Sequence, residues 1–194
     1  MIRVASVNVN GVRAAFRKGM QPWLDASGVD VLALQEVRAE REDLVALLGD
    51  EWSVANDEAS AKGRAGVAIA TRAHQDAIRT TLGPDTVDTA GRWIEVDITT
   101  PEGNPLTIVS CYVHSGEAGT PKQDAKYEFL DIMSGRMQEI GTESEYALVV
   151  GDLNVGHRSL DIRNWKGNLK NSGFLPEERA YFDQWIGSEE DPSY

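Results

Sequence analysis

Ala147-Leu148-Val149-Val150 runs straight into Gly151-Asp152-Leu153-Asn154. An apolar run of this length, bounded by polar and glycine signals, reads as a core strand. This one delivers a carboxylate and a carboxamide at its end. Side chains two apart on a strand point the same way, so Asp152 and Asn154 are expected to face one site. A carboxylate takes a proton from water or holds a metal, and an amide orients the same oxygen species. A lone Gly-Asp is equally the end of any buried strand. Here, however, other apolar runs stop in the same manner.

Ile2–Val9 alternates apolar and polar residues and stops at Asn8-Val9-Asn10-Gly11. Val29–Leu34 stops at Gln35-Glu36, and Leu106–Val113 carries Tyr112 near its end. Two more strands are expected, Ala65–Ala70 after the turn Lys62-Gly63-Arg64, and Trp93–Thr99. In the latter, Trp93, Glu95 and Asp97 alternate with Ile94, Val96 and Ile98. The turn Pro101-Glu102-Gly103-Asn104-Pro105 joins Trp93–Thr99 to Leu106–Val113 as a hairpin. Helices are expected around Ala14–Leu24, over Arg41–Leu48 with Gly49 as a stop, and over Pro176–Ile186 behind a proline suited to a helix start. Between 122 and 140, Phe129, Met133, Met137 and Ile140 recur at helical spacing and read as core. The chain is therefore mixed α/β, and its hairpin argues against a purely parallel, doubly wound sheet.

A chain of 194 residues is long enough for one domain with a large core. No apolar run approaches a membrane span and no signal-peptide pattern opens the chain. Cys111 is the only cysteine, which excludes a disulfide framework or a zinc cluster. A cytoplasmic location with no membrane partner is expected. The net charge of −12 argues against a general polyanion binder. Its distribution argues otherwise. Residues 1–24 hold Arg3, Arg13, Arg17 and Lys18 and no acid, and residues 157–170 hold His157, Arg158, Arg163, Lys166 and Lys170 against Asp161 alone. A basic face on an acidic protein can still follow phosphates.

Asn8, Glu36, Tyr112, Asp152 and Asn154 thus offer two carboxylates, two amides and a phenol at strand ends. Each also has a structural reading. Glu36 favours the start of a following helix, Asn8 suits a turn, and Tyr112 is a good core aromatic. As a set they suit a hard cation such as Mg²⁺, which takes one or two carboxylates and keeps several waters. Such a site fits hydrolysis of a phosphate ester.

The chain resembles the exonuclease III family of DNA-repair nucleases and AP endonucleases, within the endonuclease/exonuclease/phosphatase superfamily. Asn8-Val9-Asn10-Gly11-Val12-Arg13-Ala14 is similar to the family's first motif, Leu34-Gln35-Glu36 to its second, and Gly151-Asp152-Leu153-Asn154-Val155 to its fourth. Arg64-Ala65-Gly66-Val67-Ala68 and Gly91-Arg92-Trp93 match strand-start signatures. Leu160-Asp161-Ile162, Asn164-Trp165-Lys166 and Gly173-Phe174-Leu175-Pro176-Glu177-Glu178-Arg179 are similar to motifs of the nuclease branch. The resemblance covers essentially the whole chain. It implies a single domain over residues 1–194 with a four-layer α/β sandwich, two face-to-face mixed β-sheets flanked by helices, here lacking its C-terminal strands. It also implies cleavage 5′ to abasic sites and 3′-to-5′ exonuclease action on double-stranded DNA, with Mg²⁺ or Mn²⁺ as cofactor, by a protein that is a monomer in its complete form.

By the same resemblance Glu36 is the main metal ligand, with Asn8 beside it and Asp152 and Asn154 contributing. Asp152 activates or orients the attacking water, and Asn154 and Tyr112 contact the scissile phosphate. Arg13, Arg92 and the loop Asn164-Trp165-Lys166 lie where family members touch DNA. Two departures stand out. After Tyr112 come Val113, His114 and Ser115 in place of the family's proline and amide, so Ser115 is expected to supply a phosphate hydrogen bond. Family members also continue past Pro192-Ser193-Tyr194 to a Ser-Asp-His motif, for which His74, His114 and His157 are no substitutes. That departure keeps a catalytically impaired DNA-binding remnant as an alternative, beside another phosphoesterase of the superfamily.

Overall fold

A computed structural model describes residues 1–61, 63–82 and 91–188. Lys62, in the turn expected ahead of the third strand, and the end Pro192-Ser193-Tyr194 lie outside the described residues. The chain divides into two compact units. The first is Met1–Tyr112 with Met137–Asp152, and the second is Val113–Arg136 with Leu153–Tyr194.

Among the described residues, the first unit holds eight strands in two sheets. β1 (Val4–Asn8), β2 (Val31–Gln35), β3 (Ser53–Asp57) and β4 (Val67–Thr71) form one, in the order β1-β2-β4-β3. β5 (Gln75–Arg79), β6 (Trp93–Thr99), β7 (Pro105–Tyr112) and β8 (Ala147–Asp152) form the other, in sequence order. Both sheets are mixed. β1 runs parallel to β2 and β7 parallel to β8, while the remaining pairs are antiparallel. The expected hairpin is β6–β7, with Trp93 opposite Cys111 and Thr99 opposite Pro105.

Every residue of β2 and β4 is buried, because each strand has a layer on either side. Alternation divides their side chains between two cores. Leu32, Leu34, Ala68 and Ala70 pack with Val12 of α1 (Val12–Arg17), Met20 and Leu24 of α2 (Met20–Ser27), and Leu44 and Leu48 of α3 (Arg41–Leu48). Val31, Ala33, Val67 and Ile69 pack with Ile94, Val96, Ile98 and Ile108 of the second sheet. The second core is thus made of the two facing sheets. On β6 the other set of side chains becomes a polar ladder. Glu95 and Asp97 accept from the guanidinium of Arg79 at 2.7 and 2.8 Å. Two facing mixed sheets flanked by helices is the fold class implied by the resemblance.

Three details depart from the sequence reading. The helix expected around Ala14–Leu24 is two helices, because Gly19 takes φ 103° between them. β3 and β5 carry too few apolar residues to read as strands and owe their form to pairing with β4 and β6. β8 ends at Asp152, and Asn154 sits outside it at φ 49°, so strand alternation does not extend to Asn154.

The two parallel pairs position the site. In register, Asn8 lies beside Gln35 and Tyr112 beside Asp152, so the C-terminal ends of β1 and β2, and those of β7 and β8, finish level. Buried Gln35 and Ser110 stitch the sheets just behind these ends. Gln35 Nε2 donates to Ser110 Oγ at 2.9 Å, and Ser110 Oγ donates to the Leu34 carbonyl at 3.0 Å.

The second unit contains the first part of α4 (Pro121–Glu143), the short α5 (Trp165–Asn168) and α6 (Pro176–Ile186). Phe129 and Met133 are buried on α4, as the helical spacing predicts, and Leu130 is buried beside them. Glu178, in the first turn of α6, reaches back to accept from the N–H of Leu175 at 3.0 Å. His157 is buried, 2.7 Å from Asp183 Oδ1 and stacked on Phe182, while His114 meets the edge of Phe129.

Candidate active site

The first unit brings five of the anticipated residues together. Asn8 Nδ2 donates to Glu36 Oε1 at 2.9 Å and to Asp152 Oδ2 at 2.7 Å, bridging two carboxylates that are 116 residues apart in the chain. Asn8 Oδ1 accepts from the Asn10 N–H at 3.0 Å, which fixes the amide's orientation. The Tyr112 hydroxyl bonds Glu36 as well. Arg92 closes the group from behind Tyr112. Its guanidinium carbon lies 4.7 Å from the centre of that ring, and Nη1 donates to the Tyr112 carbonyl at 3.1 Å. Its Nε is buried and has no hydrogen-bond partner among the described residues.

Glu36 holds a left-handed backbone, φ 51°, which costs a residue with a Cβ on the order of 1 kcal/mol or more. Neighbouring segments enforce it. The Glu36 carbonyl accepts from Gly11 at 2.7 Å, the Val37 N–H donates to Gly66 at 3.0 Å, and the Arg38 N–H donates to Ala65 at 3.0 Å. The strain is therefore imposed from two loops at once, at Gly11 and at Ala65-Gly66.

The electrostatics follow from this packing. Burial raises the Glu36 carboxyl, but hydrogen bonds from Asn8 and Tyr112, and the charge and hydrogen bond of Arg38, outweigh it and hold the group below the usual glutamate range. Burial and the bond to Glu36 push the Tyr112 phenol up, and burial pulls Arg92 down. Arg38, which pairs with Glu36 Oε2, escaped the sequence reading. Its only signal was its place two residues after Glu36.

Arg13 lies apart from this cluster, paired with Asp43 of α3. With Arg38 and Arg64 it lines a cavity of about 440 Å³ that also contains Glu40 and Glu58. Asn154, Ser115, Asn164, Trp165 and Lys166 belong to the second unit. There Asn154 Nδ2 donates to the Val113 carbonyl at 2.8 Å, and the backbone carbonyls of Asn154 and Ser115 share the ammonium of Lys126. Asn164 takes φ 60° ahead of α5, and Lys166 Nζ stands 5.5 Å from the Trp165 ring centre. Trp165 itself is over a third exposed.

Glu36, Asp152 and Asn8 offer only hard oxygen donors and no thiolate or imidazole. Among the described residues no three His, Cys, Asp or Glu side chains converge. Such a donor set fits Mg²⁺ or Mn²⁺, which accept one or two carboxylates and complete their shells with water and substrate. Among the same residues no helix is long and apolar enough to cross a membrane.

The family model described as "Endonuclease/Exonuclease/phosphatase family" matches residues 5–193. The chain is 31% identical over 193 residues to the DNA repair nuclease APEX1 of Danio rerio, covering 95% of this chain and 59% of that protein. It is 29% identical over 192 residues to exodeoxyribonuclease III of Haemophilus influenzae, covering 94% of this chain and 71% of the relative. Among solved structures, the AP endonuclease from Archaeoglobus fulgidus superposes with a TM-score of 0.79 at 24% identity, over 95% of this chain and 69% of that one. The fold is therefore shared, and the chain spans about three fifths to seven tenths of the length of these proteins. With a matching model over nearly every residue and exonuclease III-type nucleases among its relatives, this chain belongs to the endonuclease/exonuclease/phosphatase family.

Proposed function

We propose that this chain carries the phosphodiester-hydrolysing site of a metal-dependent, exonuclease III-type DNA-repair nuclease, acting 5′ to abasic sites and 3′-to-5′ on duplex DNA. The observation that carries this reading is the single amide of Asn8 bonded to both Glu36 and Asp152. Two carboxylates so close need a shared donor or a cation between them, and the names of the relatives supply the substrate class, DNA.

Glu36 would be the principal holder of Mg²⁺ or Mn²⁺, with Asn8, Asp152 and Asn154 contributing oxygen. When bound, such a dication would supply the positive charge that offsets the phosphate and the charge developing on it. Asp152 accepts the proton of the attacking water, and its bond to Asn8 keeps the carboxylate aimed. The Tyr112 hydroxyl, backed by Arg92, would turn its single O–H from Glu36 to a phosphate oxygen of the bound substrate. Asn154, two residues beyond Asp152 in the chain, donates its amide to the same phosphate. Arg13, Arg92, Ser115, Asn164, Trp165 and Lys166 contact the duplex. The arginine-lined cavity at Arg13 supports a phosphate there.

The test is a substrate comparison with Mg²⁺ present or chelated. A duplex with one abasic site, an undamaged duplex and a soluble inositol polyphosphate are each offered to the protein. Metal-dependent cutting of the abasic duplex, with the inositol phosphate untouched, is the expected result. Preference for the inositol phosphate would move the protein to the phosphatase side of the family. Binding of the duplex with no cutting would make it a DNA-binding remnant.

A further inference from the structure

Lys126 is completely buried, and its ammonium is surrounded by acceptors. Glu178 Oε1 lies at 2.7 Å, the Asn154 carbonyl at 2.9 Å and the Ser115 carbonyl at 3.4 Å. Burying an ion pair is expensive, and an apolar pair of similar volume is often as stable or more so. Stability alone is thus a poor reason to find a lysine here. What the lysine does that an apolar residue cannot is fix two backbone carbonyls at once. One belongs to Asn154, whose left-handed φ of 49° needs outside restraint. The other belongs to Ser115, whose side chain is exposed.

Glu178 is itself pinned. It accepts from Gln123 Nε2 at 2.8 Å and from the N–H groups of Gly173 and Leu175 at 2.7 and 3.0 Å. Ser172 Oγ lies 2.7 Å from the Ser115 carbonyl and 3.0 Å from Glu178 Oε1, a second tie between the same loops. The chain passes this cluster at Gly116, where a Cβ would stand 2.5 Å from both Gln123 Oε1 and Ser172 Oγ.

We propose that Lys126 is a positioning residue, held by Glu178, that sets the loops of Asn154 and Ser115 for phosphate contact. This rests on the function proposed above. In the full chain, Lys126→Met is compared with the neutral pair Lys126→Met/Glu178→Gln and with Lys126→Arg. Three quantities are followed, namely melting temperature, kcat and KM on the abasic duplex, and the ¹³C resonances of the Asn154 and Ser115 carbonyls. Loss of alignment at a site of this kind costs about 10²-fold. The neutral pair should recover the melting temperature while kcat stays down by about that factor, with KM little changed, and both carbonyl resonances should move. Lys126→Arg should recover much of the rate. Recovery of kcat together with melting temperature in the neutral pair would overturn the proposal, as would unmoved carbonyl resonances. If the unmodified chain cuts no abasic duplex, the proposed function falls. The carbonyl resonances then decide the role of Lys126 by themselves.

Discussion

Glu36 is restrained through both its side chain and its backbone. Its two oxygens are shared with Asn8 and Arg38, the Tyr112 phenol adds a third bond, and its backbone is held left-handed. Its carboxyl is lowered because these donors overcome the effect of burial. The folded state therefore binds fewer protons here than the unfolded chain. The resulting stability is present above the ordinary glutamate value of about 4.3 and is lost as pH falls through the lowered folded value. Glu36→Gln should flatten the acid side of a melting-temperature profile, and an unchanged profile would remove Glu36 from that role. The same substitution should weaken Mg²⁺ in a calorimetric titration with the fold intact, and equal binding by both proteins would contradict the metal assignment. Cys111 offers a separate check at this scale. Burial, and then the charge of Asp152, push its thiol up to about 12. It should resist thiol reagents until the protein unfolds, and rapid labelling of the native protein would mean that the β7–β8 interface opens.

At the scale of the element, β8 depends on Gly151. A Cβ there would collide with the carbonyl of Cys111, its partner in register. Gly151→Ala should destabilise by about 1–3 kcal/mol or more through forced backbone movement, read as a lowered denaturant midpoint. A neutral effect would mean that β7 and β8 are not so closely apposed. Most elements were legible because burial on both faces writes itself as apolar runs, as in Val31–Leu34, and amphipathic burial as helical spacing, as in Phe129 and Met133. β3 and β5 were not, since five residues such as Gln75-Asp76-Ala77-Ile78-Arg79 become a strand only beside β6. Asn8, Glu36, Tyr112 and Asp152 were legible because polar residues that stop apolar runs stand out. Arg38 and Lys126 were not. A charge two residues past a strand reads as solvated surface, and a lysine on a helix gives no sign that its ammonium is buried against Glu178.

Over the whole molecule, the charge of −12 repels DNA, so affinity must come from local basic segments. Replacing Arg13, Arg163 and Lys166 by Ala should lower affinity for duplex DNA. The salt dependence should flatten by about one unit of slope for each phosphate no longer neutralised. An unchanged slope would place the DNA elsewhere on the protein. The central claim is that Asp152, aimed by Asn8 beside Glu36, takes the proton of the attacking water. The direct measurement is single-turnover cleavage of a duplex bearing one abasic site, with Mg²⁺ and excess protein, by the unmodified chain and by Asp152→Asn. The predicted result is a cut 5′ to the abasic site, slowed about 10²–10⁴-fold in Asp152→Asn while the duplex is still bound. Equal cleavage rates in the two proteins would contradict it.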